Sequence, residues 1–459
     1  SAMTSFNEID GVPATANHWL LTDVLRNQWG FDGFVVTDYT AISEMIDHGI
    51  GDLQEVSARA LTAGTDMDMV ADGFIGTLEK SLKEGKVTEA DIDKACRRIL
   101  EAKYKLGLFA NPYKYCDVKR AEKEVFTPEH RSIARQIATE TFVLLKNQDS
   151  LLPLAKGETV AVIGDFAKTP RYQGAGSSAV NSIQVDSFLD CLTESGLTNV
   201  GYAQGVDRQG KADEDLKKEA VALAQNANVV LLCMGLDEIK ESEGIDRADM
   251  KLAENQLELL AAVAAANPNV VVLLSAGSSL ESGWVKDCKA LVYGALSGQA
   301  GAGAAADILT GKLCPCGKLS QTWAKAHDDT PAKANFGGEG RNVEYREGLY
   351  VGYRYYQTAG VPVAFPFGYG LSYTSFDYSN LQAASNGVTL TVTNTGKRAG
   401  AEIVQLYVAK PGAEVFRPAQ ELKGFAKVQL QPGESKTVTI PLDDKAFRYW
   451  NTRTDSWEV

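Results

Sequence analysis

Short apolar runs alternate with amphipathic helical stretches over the first part of the chain. A helical pattern over His18–Trp29 precedes the apolar run Gly33–Asp38, and a second helical pattern over Leu53–Ala63 precedes the short run Thr65–Met69. An unbroken apolar run is typical of a strand that is buried on both faces. The alternation therefore predicts a β/α layer of parallel strands, with carboxylates at the carboxyl ends of the strands.

Helical periodicity continues from Phe74 to Leu106 with one interruption. The pattern breaks near Gly85, and the sequence Thr88–Asp91 reads as a capping box that starts a new helix. Residues 1–109 are therefore predicted to form one domain. From residue 110 to 129 the pattern is replaced by turn-forming and charged residues, which predicts a surface linker.

A second α/β domain is predicted for residues 130–344. Amphipathic helices over Leu216–Gln225 and Glu254–Ala266 lie between apolar runs of strand length. The predicted strands are Thr159–Ile163, Val229–Met234, Val270–Leu274 and Ala290–Tyr293. Because these runs are apolar throughout, helices are expected to cover both faces of the sheet.

The composition changes again toward the end of the chain. Eleven of the 39 aromatic residues lie within 345–378, so we interpret 345–374 as an aromatic segment between domains, with a binding wall as the alternative. Period-two alternation then predicts strands over Val388–Thr393, Val404–Val408 and Lys436–Ile440. Residues 375–459 are therefore predicted to form a small antiparallel β-sandwich.

The composition excludes several classes of function. A formal net charge of −13 argues against nucleic acid or an anionic membrane surface as a partner. The apolar runs are too short to cross a membrane. Cys314 and Cys316 lack a further Cys or His pair, and the four histidines form neither a nucleophilic triad nor a zinc-ligand pattern, so we expect no metal and no cofactor.

Three aspartates lie on the predicted strands of the first domain. Asp38 ends the run Gly33–Asp38, where barrel enzymes place catalytic groups, but an aspartate there also often caps the next helix. Both interpretations stay open at this stage. For Asp66 and Asp68, helix capping or support of the core is favoured.

An acidic loop, Glu241–Arg247, follows the predicted strand Val229–Met234. Gly244 lets the backbone turn so that Glu243 can project into a cleft, and a solvated acidic loop is the alternative. One carboxylate on a barrel strand and one on a loop are the groups that glycoside hydrolysis requires.

Two glycine-rich segments are candidate ligand loops. Gly174–Ser178 could hold an anion or a hydroxylated ligand. Gly301–Ala306 is similar to a dinucleotide-binding fingerprint, but no acidic residue stands about 20 positions later, where Ser320–Thr322 lie instead. We therefore interpret Gly301–Ala306 as close packing of a helix on a strand.

Long motifs along the whole chain resemble glycoside hydrolase family 3, the β-glucosidase group. They include Trp29–Asp38, Glu241–Arg247 and Pro366–Thr374, which stand in the family's order. Gln405–Val408 and Glu421–Phe425 resemble the family's fibronectin type III-like domain. The fold class that this resemblance implies is α/β: part of a (β/α)8 TIM-type barrel, an α/β sandwich and a fibronectin type III-like β-sandwich.

The resemblance also implies a chemistry and a set of site residues. It implies retaining, exo-acting hydrolysis of terminal non-reducing β-D-glucosyl residues, with a small carbohydrate as substrate. Asp38 matches the nucleophile and Glu243 the general acid/base, with Glu241 as the nearby rival. Met3, Tyr39 and Ser177 match residues that contact the sugar. Phe6 stands where several members carry a tyrosine that hydrogen-bonds the nucleophile.

Compared with the family pattern, the chain opens at what resembles the sixth βα unit. About five of the eight units of a barrel would be missing, on the order of 150 residues, and with them most groups that bind the sugar hydroxyls.

One alternative is therefore an inactive carbohydrate-binding fragment, and another is a β-xylosidase or arabinosidase of the same family. The missing barrel part also implies a protein partner, which is either a second chain that supplies that part or another copy of this chain in a homo-oligomer. An upstream signal peptide would favour a periplasmic or secreted protein.

Overall fold

The computed structural model describes residues 1–338, 340 and 342–459, which form two compact units, Ser1–Val125 and Phe126–Val459. The first unit combines helices with short parallel strands. The second contains a six-stranded sheet and several antiparallel sheets.

Three parallel segments form the sheet of the first unit. Ala2–Met3 pairs with Val35–Val36, and Val36 forms a single parallel bridge with Met67. The hydroxyl group of Thr37 accepts a hydrogen bond from the backbone N–H of Met69 at 2.8 Å. The predicted strand Gly33–Asp38 is therefore present as Val35–Val36, whereas the predicted strand Thr65–Met69 is reduced to the single bridge at Met67. A separate hairpin joins Glu8–Ile9 to Val12–Pro13.

Helical segments make up about half of the first unit. Leu53–Ala63 has the bounds that the periodicity predicts. The predicted capping box is present, since the Thr88 hydroxyl accepts from the Asp91 N–H and the Asp91 carboxylate accepts from the Thr88 N–H. The helical segments are Ala14–Ala16, Trp19–Gln28 with π-helical geometry, Ala41–Glu44, Leu53–Ala63, Gly73–Lys83, Glu89–Lys105 and Arg120–Glu124.

A six-stranded sheet is the centre of the second unit. Its spatial order is Val143–Asn147, Ala290–Tyr293, Val270–Ser275, Val229–Gly235, Thr159–Ile163 and Thr198–Ala203. Only the first strand is antiparallel to its neighbour. The four predicted strands form the middle of the sheet. The two edge strands were missed because Thr198–Ala203 is mostly polar and exposed, and Val143–Asn147 has only three apolar residues before Lys146.

Apolar cores lie on both faces of this sheet, as the unbroken apolar runs predict. Leu232 belongs to one core together with Ala220 and Leu259, whereas its neighbour Leu231 belongs to the other together with Ala304. The helical segments of this part are Pro128–Thr141, Gln148–Ser150, Asp165–Ala167, Phe188–Leu192, Glu214–Ala224, Glu254–Ala266, Gly283–Asp287, Gly301–Leu309, His327–Asp329 and Tyr353–Ala359. Their packing on the two faces makes this part an α/β sandwich.

Antiparallel sheets form the C-terminal part. Phe376–Ala384, Gly387–Asn394 and Ser435–Pro441 form one sheet, and Gly400–Val408 pairs with Glu421–Leu430. Alternate residues such as Leu390, Val404 and Ile440 share one core, as the period-two pattern predicts. The remaining short elements are the pair Trp323–Ala324 and Val363–Phe365, the pair Tyr449–Asn451 and Ser456–Glu458, and the helical turn Asp444–Phe447.

Aromatic residues of the 345–378 segment contact both neighbouring parts. Tyr353 stacks on Phe367 with 4.9 Å between ring centroids, and it meets the ring of Tyr407 edge-on. Phe365 packs edge-on against the fully buried Trp323. The phenol oxygen of Tyr353 also accepts a hydrogen bond from the backbone N–H of Leu422 at 2.8 Å. These contacts join the α/β sandwich to the β-sandwich.

Candidate active site

Asp38 lies half-buried just beyond the carboxyl end of the Val35–Val36 strand. Its Oδ1 accepts a hydrogen bond from the backbone N–H of Tyr39 at 2.6 Å. The next helix, Ala41–Glu44, begins after Thr40, and no side chain caps its N-terminus within the described chain. The helix-capping interpretation of Asp38 is therefore not supported, and one carboxylate oxygen has no hydrogen-bond partner among the described residues.

Asp66 and Asp68 have structural roles. Asp66 accepts hydrogen bonds from Arg26 at 2.7 Å, from Arg98 at 2.7 Å and from the backbone N–H of Val35 at 2.8 Å. Asp68 accepts from the N–H groups of Gly73 and Phe74, at the start of the helix Gly73–Lys83. The predictions of core support and helix capping for these two residues are confirmed.

Met3 and Tyr39 accompany Asp38 on the same unit. Met3 ends the strand that pairs with Val35–Val36, and Tyr39 follows Asp38 directly. Their exposures are 57% and 59%, so neither side chain is used to fill the core. This edge of the sheet thus presents one carboxylate, one thioether and one phenol to a ligand. That these side chains contact a sugar remains a prediction.

Glu243 lies on an exposed loop that follows the strand Val229–Gly235 in the second unit. Its Oε2 accepts a hydrogen bond from the backbone N–H of Ser177 at 2.7 Å, and its own N–H donates to the carbonyl of Ala175 at 3.3 Å. A parallel bridge between Ala175 and Ser242 completes this contact. Hydrogen bonds from the side chain and backbone of Ser177 lower the pKa of Glu243 below its ordinary value.

Gly176 makes the close approach of these two loops possible. Its φ is +87°, and a Cβ atom at this position would lie 2.6 Å from the Cβ of Glu243. Any other residue would therefore be strained and would push Glu243 away. The glycine-rich segment Gly174–Ser178 thus holds the backbone of the acidic loop. Whether the side chain of Ser177 contacts a sugar stays a prediction.

Glu241 differs from Glu243 in its surroundings. Its Oε2 accepts from the backbone N–H of Gly277 at 2.8 Å, and its Oε1 accepts from the hydroxyl group of Ser278 at 2.7 Å. The side chain is only 11% exposed, and the buried Arg171 lies 3.9 Å from Oε2. Since both its oxygens are engaged, Glu241 supports the loop, and the geometry favours Glu243 over Glu241 as the reacting carboxylate.

The sequence reasoning missed the residues that support this loop, namely Arg171, Gly277 and Ser278. Gly277 and Ser278 directly follow the strand Val270–Ser275, which pairs in parallel with Val229–Gly235. Small polar residues at the carboxyl end of a neighbouring parallel strand are the signal that could have identified them.

The glycines of 301–306 serve packing, but the close contact at Gly303 is with the helix Pro128–Thr141 and not with a strand as the sequence analysis predicted. They open the helix Gly301–Leu309, and a Cβ on Gly303 would lie 2.8 Å from the guanidinium group of Arg135. Arg135 in turn forms two hydrogen bonds with Asp307 of the same helix. No group of three metal-ligating side chains occurs within 1–338, 340 and 342–459, and no helix of those residues is long and apolar enough to cross a bilayer.

Comparison with known proteins agrees with the resemblance in the sequence motifs. Residues 142–373 match the glycosyl hydrolase family 3 C-terminal domain, 1–102 match the N-terminal domain of that family, and 402–459 match the fibronectin type III-like domain. The predicted combination of a barrel part, an α/β sandwich and a fibronectin type III-like domain is thereby confirmed.

Several similar proteins cover the whole chain but are longer than it. An exo-α-(1->6)-L-arabinopyranosidase of Bifidobacterium breve is 42% identical, and thermostable β-glucosidase B of Acetivibrio thermocellus is 40% identical; each match covers 100% of this chain and 60% of the relative. A Bifidobacterium adolescentis β-glucosidase structure is 40% identical with a TM-score of 0.88, over 99% of this chain and 65% of the other. The chain thus spans about 60% of the length of these curated relatives. On this evidence the chain belongs to glycosyl hydrolase family 3.

Proposed function

We propose that this chain carries the two catalytic carboxylates of a retaining, exo-acting β-glycosidase that removes terminal non-reducing β-D-glucosyl residues. Family membership and the β-glucosidases among its relatives support this reaction. One structural observation carries the assignment of roles. Glu243 is exposed and is held by the N–H of Ser177, whereas its rival Glu241 has both oxygens engaged in supporting contacts.

In the proposed first step, Asp38 is the nucleophile. The N–H of Tyr39 binds Oδ1 and leaves Oδ2 available to attack the anomeric carbon. As the bond from carbon to Oδ2 forms, the glycosidic bond breaks, and Glu243 gives its proton to the departing oxygen. The product of this step is a glycosyl ester on Asp38 together with the released alcohol.

The second step returns the enzyme to its starting state. The carboxylate of Glu243 takes a proton from water, and the resulting oxygen attacks the anomeric carbon while the ester bond to Asp38 breaks. Two displacements restore the original configuration of the sugar. The hydrogen bond from Ser177 suits the ionised form of Glu243 that this step requires, but it opposes the protonated form that the first step requires.

The exposed side chains beside Asp38 would form part of the sugar subsite. Tyr39 offers an aromatic face with a polar tip, which suits a pyranose ring that has both apolar and hydroxylated surfaces. Met3 offers a flexible apolar contact on the neighbouring strand. In this proposal a neutral monosaccharide unit occupies the subsite.

A second candidate is an exo-acting α-L-arabinopyranosidase. The relatives at 42% identity from Bifidobacterium breve and Bifidobacterium longum carry this activity in their names. Both activities would use the same two carboxylates. Their substrates differ in the sugar ring that is released. A β-xylosidase of the same family would share the chemistry as well.

Hydrolysis of a panel of nitrophenyl glycosides tests these alternatives. We expect kcat/KM to be highest for the β-D-glucoside, with the α-L-arabinopyranoside and the β-D-xyloside as the comparison substrates. Proton NMR of the first sugar released should show the β anomer. Release of the α anomer would contradict the retaining mechanism, and a folded chain that binds glucose without turnover would favour the inactive carbohydrate-binding fragment.

A further inference from the structure

The loop that carries Glu243 is closed at its base by one serine. The hydroxyl group of Ser278 donates a hydrogen bond to Oε1 of Glu241 at 2.7 Å and accepts one from Nη1 of Arg247. Glu241 and Arg247 are the first and last residues of the acidic loop. Ser278 therefore binds both ends of the segment that presents Glu243.

The sheet fixes the position of Ser278. The strand Val270–Ser275 pairs in parallel with Val229–Gly235, and the last pair of that register is Gly235 with Ser275. The acidic loop leaves one of these strands, and Ser278 follows the other. Both segments therefore extend from the same carboxyl edge of the sheet, and the contact between them is anchored to a pair of strands that are buried except at Ser275.

Further contacts support Glu241 in this arrangement. The backbone N–H of Gly277 donates to Oε2 at 2.8 Å, and the carboxylate lies 3.9 Å from Nη2 of Arg171, whose side chain is 1% exposed. Arg247 is held differently, because its Nε and Nη2 atoms are buried without a hydrogen-bond partner among the described residues. Among the described residues, Ser278 is thus the one side chain that forms a hydrogen bond with the guanidinium group of Arg247.

We propose that Ser278 is a positioning residue for the acid/base carboxylate, acting through the two ends of the Glu241–Arg247 loop. Closing the base of a short loop removes most of the conformations open to its middle residues. General acid catalysis requires the proton donor within hydrogen-bonding distance of the departing oxygen, so a loop that moves by about 1 Å loses much of its effect. This inference rests on the proposed role of Glu243 as general acid/base.

Hydrogen exchange measured on the chain tests the closure of the loop without any need for turnover. Ser278→Ala should raise the exchange rates of amides within 237–247 by about tenfold or more, while the strand Val229–Gly235 stays protected. Ser279→Ala is the matched control, since no hydrogen bond of the Ser279 side chain occurs among the described residues, and it should leave the loop unchanged. Ser278→Thr, which keeps a hydroxyl group, should restore slow exchange.

If the amides within 237–247 exchange at equal rates in the Ser278→Ala variant and in the unmodified chain, the proposed closure of the loop by Ser278 is wrong. If Ser278→Ala does not fold, Glu241→Gln provides the second test, because it keeps the shape of the side chain and weakens the acceptor. The same rise in exchange within 237–247 is expected for that variant, and its absence would equally overturn the inference.

Leaving-group dependence tests the consequence for catalysis. For a glucoside with an alkyl leaving group, which needs protonation, Ser278→Ala should lower kcat by about tenfold or more. For a dinitrophenyl glucoside, whose leaving group needs no proton, the rate of formation of the glycosyl-enzyme should change by less than about twofold. An equal loss on both substrates would show a general structural role and overturn the positioning role.

The two proposals fail in different ways. Absence of turnover by the unmodified chain, together with the expected change in hydrogen exchange, would refute the proposed function and retain the closure of the loop. Turnover by the unmodified chain, together with unchanged hydrogen exchange in the Ser278→Ala variant, would retain the proposed function and refute the closure of the loop.

Discussion

The backbone N–H of Ser177 donates a hydrogen bond to Oε2 of Glu243 at 2.7 Å and thereby connects the glycine-rich segment Gly174–Ser178 to the acidic loop. Hydrogen bonds from the side chain and the backbone of Ser177 favour the ionised carboxylate and lower the pKa of Glu243. A general acid needs the opposite shift. In the proposed mechanism, this contact therefore has to lengthen or break before Glu243 can protonate a leaving group.

Gly176→Ala tests the link between this contact and the pH dependence. The new Cβ would meet the Cβ of Glu243, so the hydrogen bond from Ser177 should be lost and the pKa of Glu243 should rise toward its ordinary value. Since the general acid acts when protonated, the basic limb of the kcat/KM profile should move to higher pH. Initial rates across the pH range give this limb.

Gly196→Ala is the matched control for that variant. Gly196 has a similar φ of +80°, but its added Cβ would find its nearest neighbour at 3.6 Å, on the flexible side chain of Lys156. Both variants should lose about 1–2 kcal/mol of stability from backbone strain. A shift of the basic limb in both variants, or in neither, would contradict the role assigned to the contact with Ser177.

Glu243→Gln and Glu241→Gln should have different effects. Replacing the exposed Glu243 should lower kcat for an alkyl glucoside by roughly 10²–10⁴-fold and change the free energy of unfolding by less than about 0.5 kcal/mol. Replacing Glu241, which accepts from Gly277 and Ser278, should destabilise the chain by about 1–3 kcal/mol. Steady-state kinetics and urea unfolding measure the two effects, and the reverse pattern would exchange the roles of the two residues.

Asp66→Asn should destabilise the first unit strongly. The side chain of Asp66 is 1% exposed and bonds to Arg26, Arg98 and the backbone of Val35. Removing one partner of a buried charge cluster leaves the arginines without a counter-charge, at a cost of about 3–5 kcal/mol. Urea unfolding, followed by a signal from the first unit, should show this loss of free energy of unfolding. Asp38→Asn should change the free energy of unfolding little, because Asp38 is half-buried and forms no ion pair among the described residues.

The sequence predicted the interior of the fold well because burial on both faces leaves a simple pattern. Thr159–Ile163 and Ala290–Tyr293 have the bounds that their apolar runs predict. The edge strand Thr198–Ala203 leaves no such pattern, because its first three residues are exposed and include the polar Thr198 and Asn199. The short length of the strand pairing in the first unit was not predicted either: of the run Gly33–Asp38, Val35 and Val36 pair in register with Ala2–Met3.

The site could be predicted in part. Their place at or after apolar runs and the family motifs predict Asp38 and Glu243 as the catalytic pair, and this pair remains a prediction. The contact of Gly176 with Glu243 and the closure by Ser278 join residues that are 67 and 31 or more positions apart, so no local pattern reveals them. The difference between Glu241 and Glu243 likewise depends on partners in loops that are distant in the sequence.

The central claim is that Asp38 forms the covalent intermediate, and a 2-deoxy-2-fluoro β-glucoside with a dinitrophenyl leaving group tests it most directly. The fluorine slows both steps, and the activated leaving group lets the first one proceed, so the glycosyl ester accumulates. Intact mass followed by peptide mapping should place one fluoroglucosyl group on Asp38, and the Asp38→Asn variant should remain unlabelled. A label on any other residue, or a folded chain that stays unlabelled, would contradict the account.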